Sequence, residues 1–156
     1  MTDDVFPDRD MDHIDKIRWV VEENGWCAEP VAAREDPPTP GYTYTVGFQG
    51  TYGFPEIVIF GLQPVAARGL IEMLATHLDA GQQPPEGIFV GLLDNDLRCA
   101  LLPLTDVEPE MFPSARTING DELLVDQFVW PDRGGLLPWE EGYDARLRLA
   151  QPILAD

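Results

Sequence analysis

Residues 41–62, GYTYTVGFQGTYGFPEIVIFGL, constrain this chain more than any other stretch. Their first half alternates. Tyr42, Tyr44, Val46 and Phe48 fall on one side of an extended chain, and Thr43, Thr45 and Gly47 on the other. A period of two in aromatic and β-branched residues predicts a half-buried strand. The second half, Ile57-Val58-Ile59-Phe60, is a continuous apolar run. It is too short for a helix and suits a strand buried on both faces. Between them, residues 49–55 carry Gly50 and Gly53, which accept positive φ, and Pro55, which cannot donate to a ladder. They read as a loop. The pair is thus expected to be an antiparallel hairpin, with the Glu56 carboxylate at the mouth of its buried strand.

The rest of the chain reads as cover for that pair. Residues 1–9 are expected to be a disordered acidic leader, and residues 10–156 a single domain. A helix is expected from about Asp10, with Ile14, Ile17 and Val21 at helical spacing and Asn24-Gly25 as its stop. Residues 26–33 read as a strand, with Pro30 marking an edge or bend, and 34–40 as a proline-stiffened loop. Pro64 opens an amphipathic helix over 64–80 whose apolar stripe is Ala67, Leu70, Ile71, Leu74 and Leu78, with Gly81 as its end. Residues 88–92 and 97–102 flank Asp94-Asn95-Asp96 and read as a hairpin. A short helix is expected around 107–111 and a last strand over 122–130. Leu136, Trp139, Tyr143, Leu147 and Leu149 make the tail too apolar for a free end. The pattern predicts an α+β fold: a mainly antiparallel sheet with an amphipathic helix packed on one face.

Composition limits the function. Of 156 residues, 28 are Asp or Glu and 10 are Lys or Arg, a formal charge of −18. Such a surface repels phosphate backbones and disfavours direct nucleic-acid binding. It is compatible with solubility or salt adaptation, with a basic protein partner, or with multivalent cations. The acids are scattered along the chain, which favours the first. The apolar fraction of 44% suffices for a core, and no apolar run approaches the roughly 18–20 residues that span a bilayer. The acidic start has no basic or apolar signal region, so a cytoplasmic location is expected. Cys27 and Cys99, inside apolar segments, read as buried reduced thiols. Oligomeric state is left open; a homo-oligomer is compatible.

Catalytic motifs are scarce. His13 and His77 stand on different helices without metal-ligand spacing, and Asp94-Asn95-Asp96 lacks the glycine and distal glutamate of a calcium loop; no metal site is assigned. Ser114 is the sole serine, with no base near it in sequence, and Glu29 beside Cys27 opposes thiolate formation. The carboxylates Glu56 and Asp132 are the candidate catalytic residues. Brought together, they would form an acid/base pair with split pKa values. The competing reading is that each caps neighbouring backbone amides, as acids beside Pro and Gly turns do. Aromatic residues near these acids suggest a ligand pocket from Tyr44, Thr45, Phe54, Trp130 and Trp139, or simply core. An aromatic-lined small sheet can also hold a flavin ring, for which a yellow colour would be the check, but no cofactor is assigned.

Asn24-Gly25-Trp26, Tyr44-Thr45-Val46-Gly47-Phe48, residues 54–62 (FPEIVIFGL), Trp130-Pro131-Asp132 and Pro138-Trp139 together resemble the bacterial family known as domain of unknown function 4262. The resemblance covers about residues 11–152. It departs at Asn24, where relatives commonly carry His before Gly-Trp. It implies a small cytoplasmic bacterial protein and no particular activity, and its matched positions are Thr45, Gly47, Pro55, Glu56, Trp130, Asp132 and Trp139. The preferred expectation is a non-catalytic binding or interaction protein, and the alternative is a small-molecule enzyme using Glu56 and Asp132.

Overall fold

The computed structural model describes residues 12–36, 38–90, 92 and 98–154. The leader expected at 1–9 and the Asp94-Asn95-Asp96 turn lie outside the described residues. In chain order the elements are α1 (His13–Asn24), β1 (Cys27–Val31), β2 (Arg34–Glu35), β3 (Pro38–Thr39), β4 (Tyr42–Val46), α2 (Phe48–Tyr52) and β5 (Glu56–Phe60). There follow α3 (Pro64–Asp79), β6 (Gly87–Phe89), β7 (Cys99–Pro103), α4 (Pro113–Asn119) and β8 (Val125–Val129). Six strands form one sheet in the order β1-β4-β5-β8-β7-β6, and β2 pairs with β3 in a small ladder of its own. Within the six-stranded sheet the β5–β8 pair is parallel and the other pairs are antiparallel. The fold is α+β, with β4 and β5 as adjacent inner strands paired Tyr42 to Phe60 and Tyr44 to Val58.

Alternation along β5 divides the core. Ile57 and Ile59 point to one face, where α3 covers them with Ala67, Ile71, Leu74, Ala75 and Leu78. These helix positions repeat at three and four residues, so one stripe is buried while Arg68 and Glu72 stay exposed. Val58 and Phe60 point to the other face, against Ile17 of α1 and Phe112 and Ala115 around α4. Further along that face the tail lays Leu137 over Ala100 and Val129. Each fully buried Ile, Leu or Phe contributes about 1.5–3 kcal/mol, so two covered faces explain how a modest sheet holds together.

Double cover corrects the reading of β4 as half-buried. Thr43 and Thr45 are as buried as Tyr44 and Val46, because α3 lies over one face and α1 with α4 over the other. Of the loop expected at 49–55, residues 49–52 belong instead to helix α2, which starts at Phe48, and only 53–55 lie outside regular structure. Gly47 makes the corner at φ 110°, where a Cβ would stand 2.6 Å from the Gly25 carbonyl oxygen, so only glycine fits. The loop expected at 34–40 contains the β2–β3 ladder. The helix expected near 107–111 is a single 3-10 turn at Pro109–Met111, followed by α4, which the sequence pattern did not reveal. The last strand is shorter than expected.

Candidate functional site

Glu56 is the most connected carboxylate. It begins β5, is 1% exposed, and accepts five hydrogen bonds. The Thr45 hydroxyl at 2.7 Å and the Phe48 amide at 3.0 Å donate to Oε1. The amides of Gly47 at 3.2 Å and Gln49 at 3.1 Å, with the Asn119 side-chain amide at 3.1 Å, donate to Oε2. The Thr45 hydroxyl in turn accepts from the Ile57 amide at 2.9 Å. Gln49 extends the tie, donating to the Glu122 carbonyl and accepting from the Leu124 amide. Burial pushes the Glu56 pKa up, and the bonds from Thr45, Gln49, Asn119 and Gly47 pull it down, with burial prevailing. A carboxylate offers about four lone-pair directions. All are taken, so Glu56 has no position left from which to accept a substrate proton. It is the knot joining β4, α2, β5 and α4.

Asp132 plays a similar part at the other end of the sheet. Its Oδ1 accepts from the amides of Gly134 and Leu136, both at 2.9 Å, and its Oδ2 from the Asp144 amide at 3.0 Å. These donors, Leu136 first, hold its pKa below the usual carboxylate range. Asp132 closes the turn after β8 and pins the tail. Glu56 and Asp132 are not brought together. In the parallel pair Glu56 faces Val125, while Asp132 follows the far end of β8. The strand between spans about 13 Å at about 3.3 Å per residue. Among the described residues no hydrogen bond joins the two carboxylates, and each is held by a different set of backbone amides.

The five residues expected to line a pocket are scattered. Tyr44 is packed edge-on against Phe112 with its hydroxyl accepting from the Ser114 amide, and Thr45 belongs to Glu56. Phe54 lies in the core under α3. Trp130 donates its indole N–H to the Phe60 carbonyl at 2.8 Å, and Trp139 is 47% exposed. Trp130 does border a cleft of about 520 Å³ with Pro131, Asp132, Arg133, Asp144 and Arg146. Its charged groups are largely occupied: Asp144 pairs with Arg146 at 2.9 Å, and Asp132 is held by amides. Asn24, at the family's departing position, donates to the Trp26 carbonyl at 2.9 Å.

A larger cleft, about 750 Å³, lies where β1, β4 and the turn after β5 meet the start of α3 and the tail. Four separate segments build it: residues 30–33, 40–43, 61–64 and 149–150. Apolar walls come from Val31, Ala33, Leu62 and Leu149, with Thr43, Gln63 and Tyr42 as the polar side chains. Tyr42 spends its hydroxyl on the Met111 carbonyl at 2.8 Å. Among the described residues no Asp, Glu, Lys, Arg, His or Cys lines this cleft. Gly61 shapes its floor at φ 83°, with the Ala150 carbonyl oxygen 2.7 Å from where a Cβ would stand. Sequence reasoning missed the cleft because no local motif marks it; Gly and Pro at 40–41 and 61–64 register only that chain ends meet there.

Among the described residues no cluster of three or more His, Cys, Asp or Glu could hold a metal, and no helix is long and apolar enough to cross a membrane. Cys27 and Cys99 are buried, unpaired thiols. No curated protein and no solved structure matches the chain. A family model described as a domain of unknown function (DUF4262) matches residues 20–144, a span that holds β1 through β8, the Glu56 knot and the Asp132 turn. The chain belongs to the DUF4262 family.

Proposed function

We propose that this protein is a non-catalytic binding protein, and that it binds a small, largely apolar molecule in the cleft bounded by β1, β4, the turn after β5 and the start of α3. The observation that carries the reading is the cleft's lining. Its volume of about 750 Å³ falls within the roughly 300–1,000 Å³ of small-molecule sites, and its walls are apolar with a few polar groups. Although the chain carries a net charge of −18, among the described residues the only ionisable acid or base there is a tyrosine whose hydroxyl is spent. General acid/base chemistry needs such a group within reach of the ligand, and binding does not. The two carboxylates first suspected of catalysis are committed to backbone amides instead.

The remaining acidic surface serves solubility in this reading, and a bacterial cytoplasm is the proposed setting. Two buried, unbridged cysteines suit a reducing compartment.

Titration with Nile red, a neutral dye whose emission rises in apolar surroundings, tests the reading. One saturable site is expected, and Ala33→Trp, which fills the cleft from its exposed wall, is expected to abolish it. Absence of saturable binding, or binding indifferent to Ala33→Trp, would overturn the proposal.

A further inference from the structure

The geometry points to a ligand class: an apolar molecule ending in a carboxylate, its head held by the Thr43 hydroxyl and by the amide N–H groups that open α3. This inference rests on the binding reading above and adds the chemistry of the ligand's head.

Thr43 is 2% exposed and sits on the α3 side of β4, between Pro30 and Ile59 on the flanking strands. Its hydroxyl makes no hydrogen bond among the described residues. Buried hydroxyls are normally paired, since leaving one unpaired costs free energy. Yet among the described residues no fully enclosed side-chain oxygen or nitrogen lacks a partner. The Thr43 hydroxyl is therefore not sealed in. Thr43 borders the main cleft and a smaller one of about 190 Å³ beside it, which share Pro30, Thr43 and Pro64.

The start of α3 borders the same two openings. This 16-residue helix begins with Pro64, carries no acid in its first turn, and receives no side-chain cap from Gln63. Its first internal bond runs from the Ala67 amide to the Gln63 carbonyl at 3.0 Å, leaving the Val65 and Ala66 amides ahead of it without an intrahelical acceptor. Arg68, one turn on, adds positive charge while sharing it with Glu72 at 3.1 Å and the Trp26 ring. Among the described residues neither opening is lined by a carboxylate. A hydroxyl and two amides at the positive end of a helix form a donor set, and a head that only accepts and carries negative charge matches it. The ligand's apolar body then lies along Val31, Ala33, Leu62 and Leu149.

Isothermal titration calorimetry at neutral pH with octanoate and with 1-octanol separates head from body. Octanoate is expected to bind at least about tenfold more tightly, the scale of a hydrogen bond to a charged group. Thr43→Val, isosteric but without the hydroxyl, is expected to weaken octanoate by about tenfold and leave octanol nearly unchanged. Gln63→Asp, at an exposed cap position, supplies the helix with its own carboxylate. It is expected to raise stability and abolish octanoate binding, so it tests the head site without disturbing the core. If octanol binds as tightly as octanoate, or if neither substitution weakens octanoate, the carboxylate inference is wrong and the cleft reading survives. If neither compound binds, both fall.

Discussion

Replacing Glu56 by Gln keeps the side chain's shape and removes its charge and one acceptor. The structure sets the size of the effect. Five donors converge on the carboxylate, and a Gln carbonyl oxygen keeps the three around Oε2 only if its NH2 takes the place of Oε1. There it meets the Thr45 hydroxyl, which can rotate to accept, and the Phe48 amide, which cannot. One buried N–H then faces another donor, costing about 1–3 kcal/mol, and the three surviving bonds lose charge assistance, roughly half of their strength. Relief from burying a charge offsets part of this. The net expectation is a loss of about 2–4 kcal/mol, or about 4–16 °C in Tm for a domain of this size. Urea unfolding followed by tryptophan fluorescence measures it, with Glu56→Ala as a comparison that should lose more. Nile red binding of the folded Gln variant should be unchanged. A loss below about 1 kcal/mol, or loss of dye binding with stability intact, would refute the view of Glu56 as a structural knot.

Two further outcomes follow from buried groups that the proposed function does not use. Asp126 is 5% exposed; burial, with Glu86 adding repulsion, pushes its carboxyl up to about 6. Its folded pKa lies above the unfolded one, so the folded state holds the proton more tightly. Ionisation therefore costs stability as pH rises from about 4 to 6, and the cost is complete above that. The shift corresponds to at most about 3 kcal/mol, discounted to about 1–2 for residual solvent access. Asp126→Asn should stabilise the protein by that amount at pH 8 and by nothing near pH 3.5, as urea midpoints will show; equal gains at both would contradict the assignment. Burial also pushes the Cys27 thiol up to about 12 and the Cys99 thiol up to about 11, so neither should react with Ellman's reagent in the native protein at pH 8 while both react in denaturant. Rapid native reaction of either would place it nearer solvent than the structure does.

The hairpin of β4 and β5 was legible because each strand carries its own signal: alternation in one, an unbroken β-branched and aromatic run in the other. Helix α3 was legible for the same reason, since Pro64 marks its start and its stripe repeats over several turns. Helix α4 was not. Pro113–Asn119 buries only Ser114 and Ala115, too little to show a period, and it is helical because Phe112 and Ala115 fill the space over Tyr44 and Val58. Burial of Thr43 and Thr45 escaped notice because their polarity argues for solvent, whereas tertiary cover decides. The parallel pairing of β5 with β8 joins strands far apart in sequence, which no local pattern encodes. Glu56 and Asp132 stood out as acids beside Gly and Pro, and the capping reading of that pattern describes their geometry. The cleft was invisible since four distant segments contribute a few unremarkable residues each.

The proposed function turns on where a ligand sits. Chemical-shift mapping by ¹⁵N–¹H correlation spectra during titration with 1-octanol locates it directly. Perturbations should concentrate at residues 31–33, 41–43, 61–66 and 149–150, with the amides of Gly47, Phe48, Gln49, Gly134 and Leu136 unmoved. Shifts centred on the Glu56 knot or the Asp132 turn, or no saturable shifts at all, would contradict it.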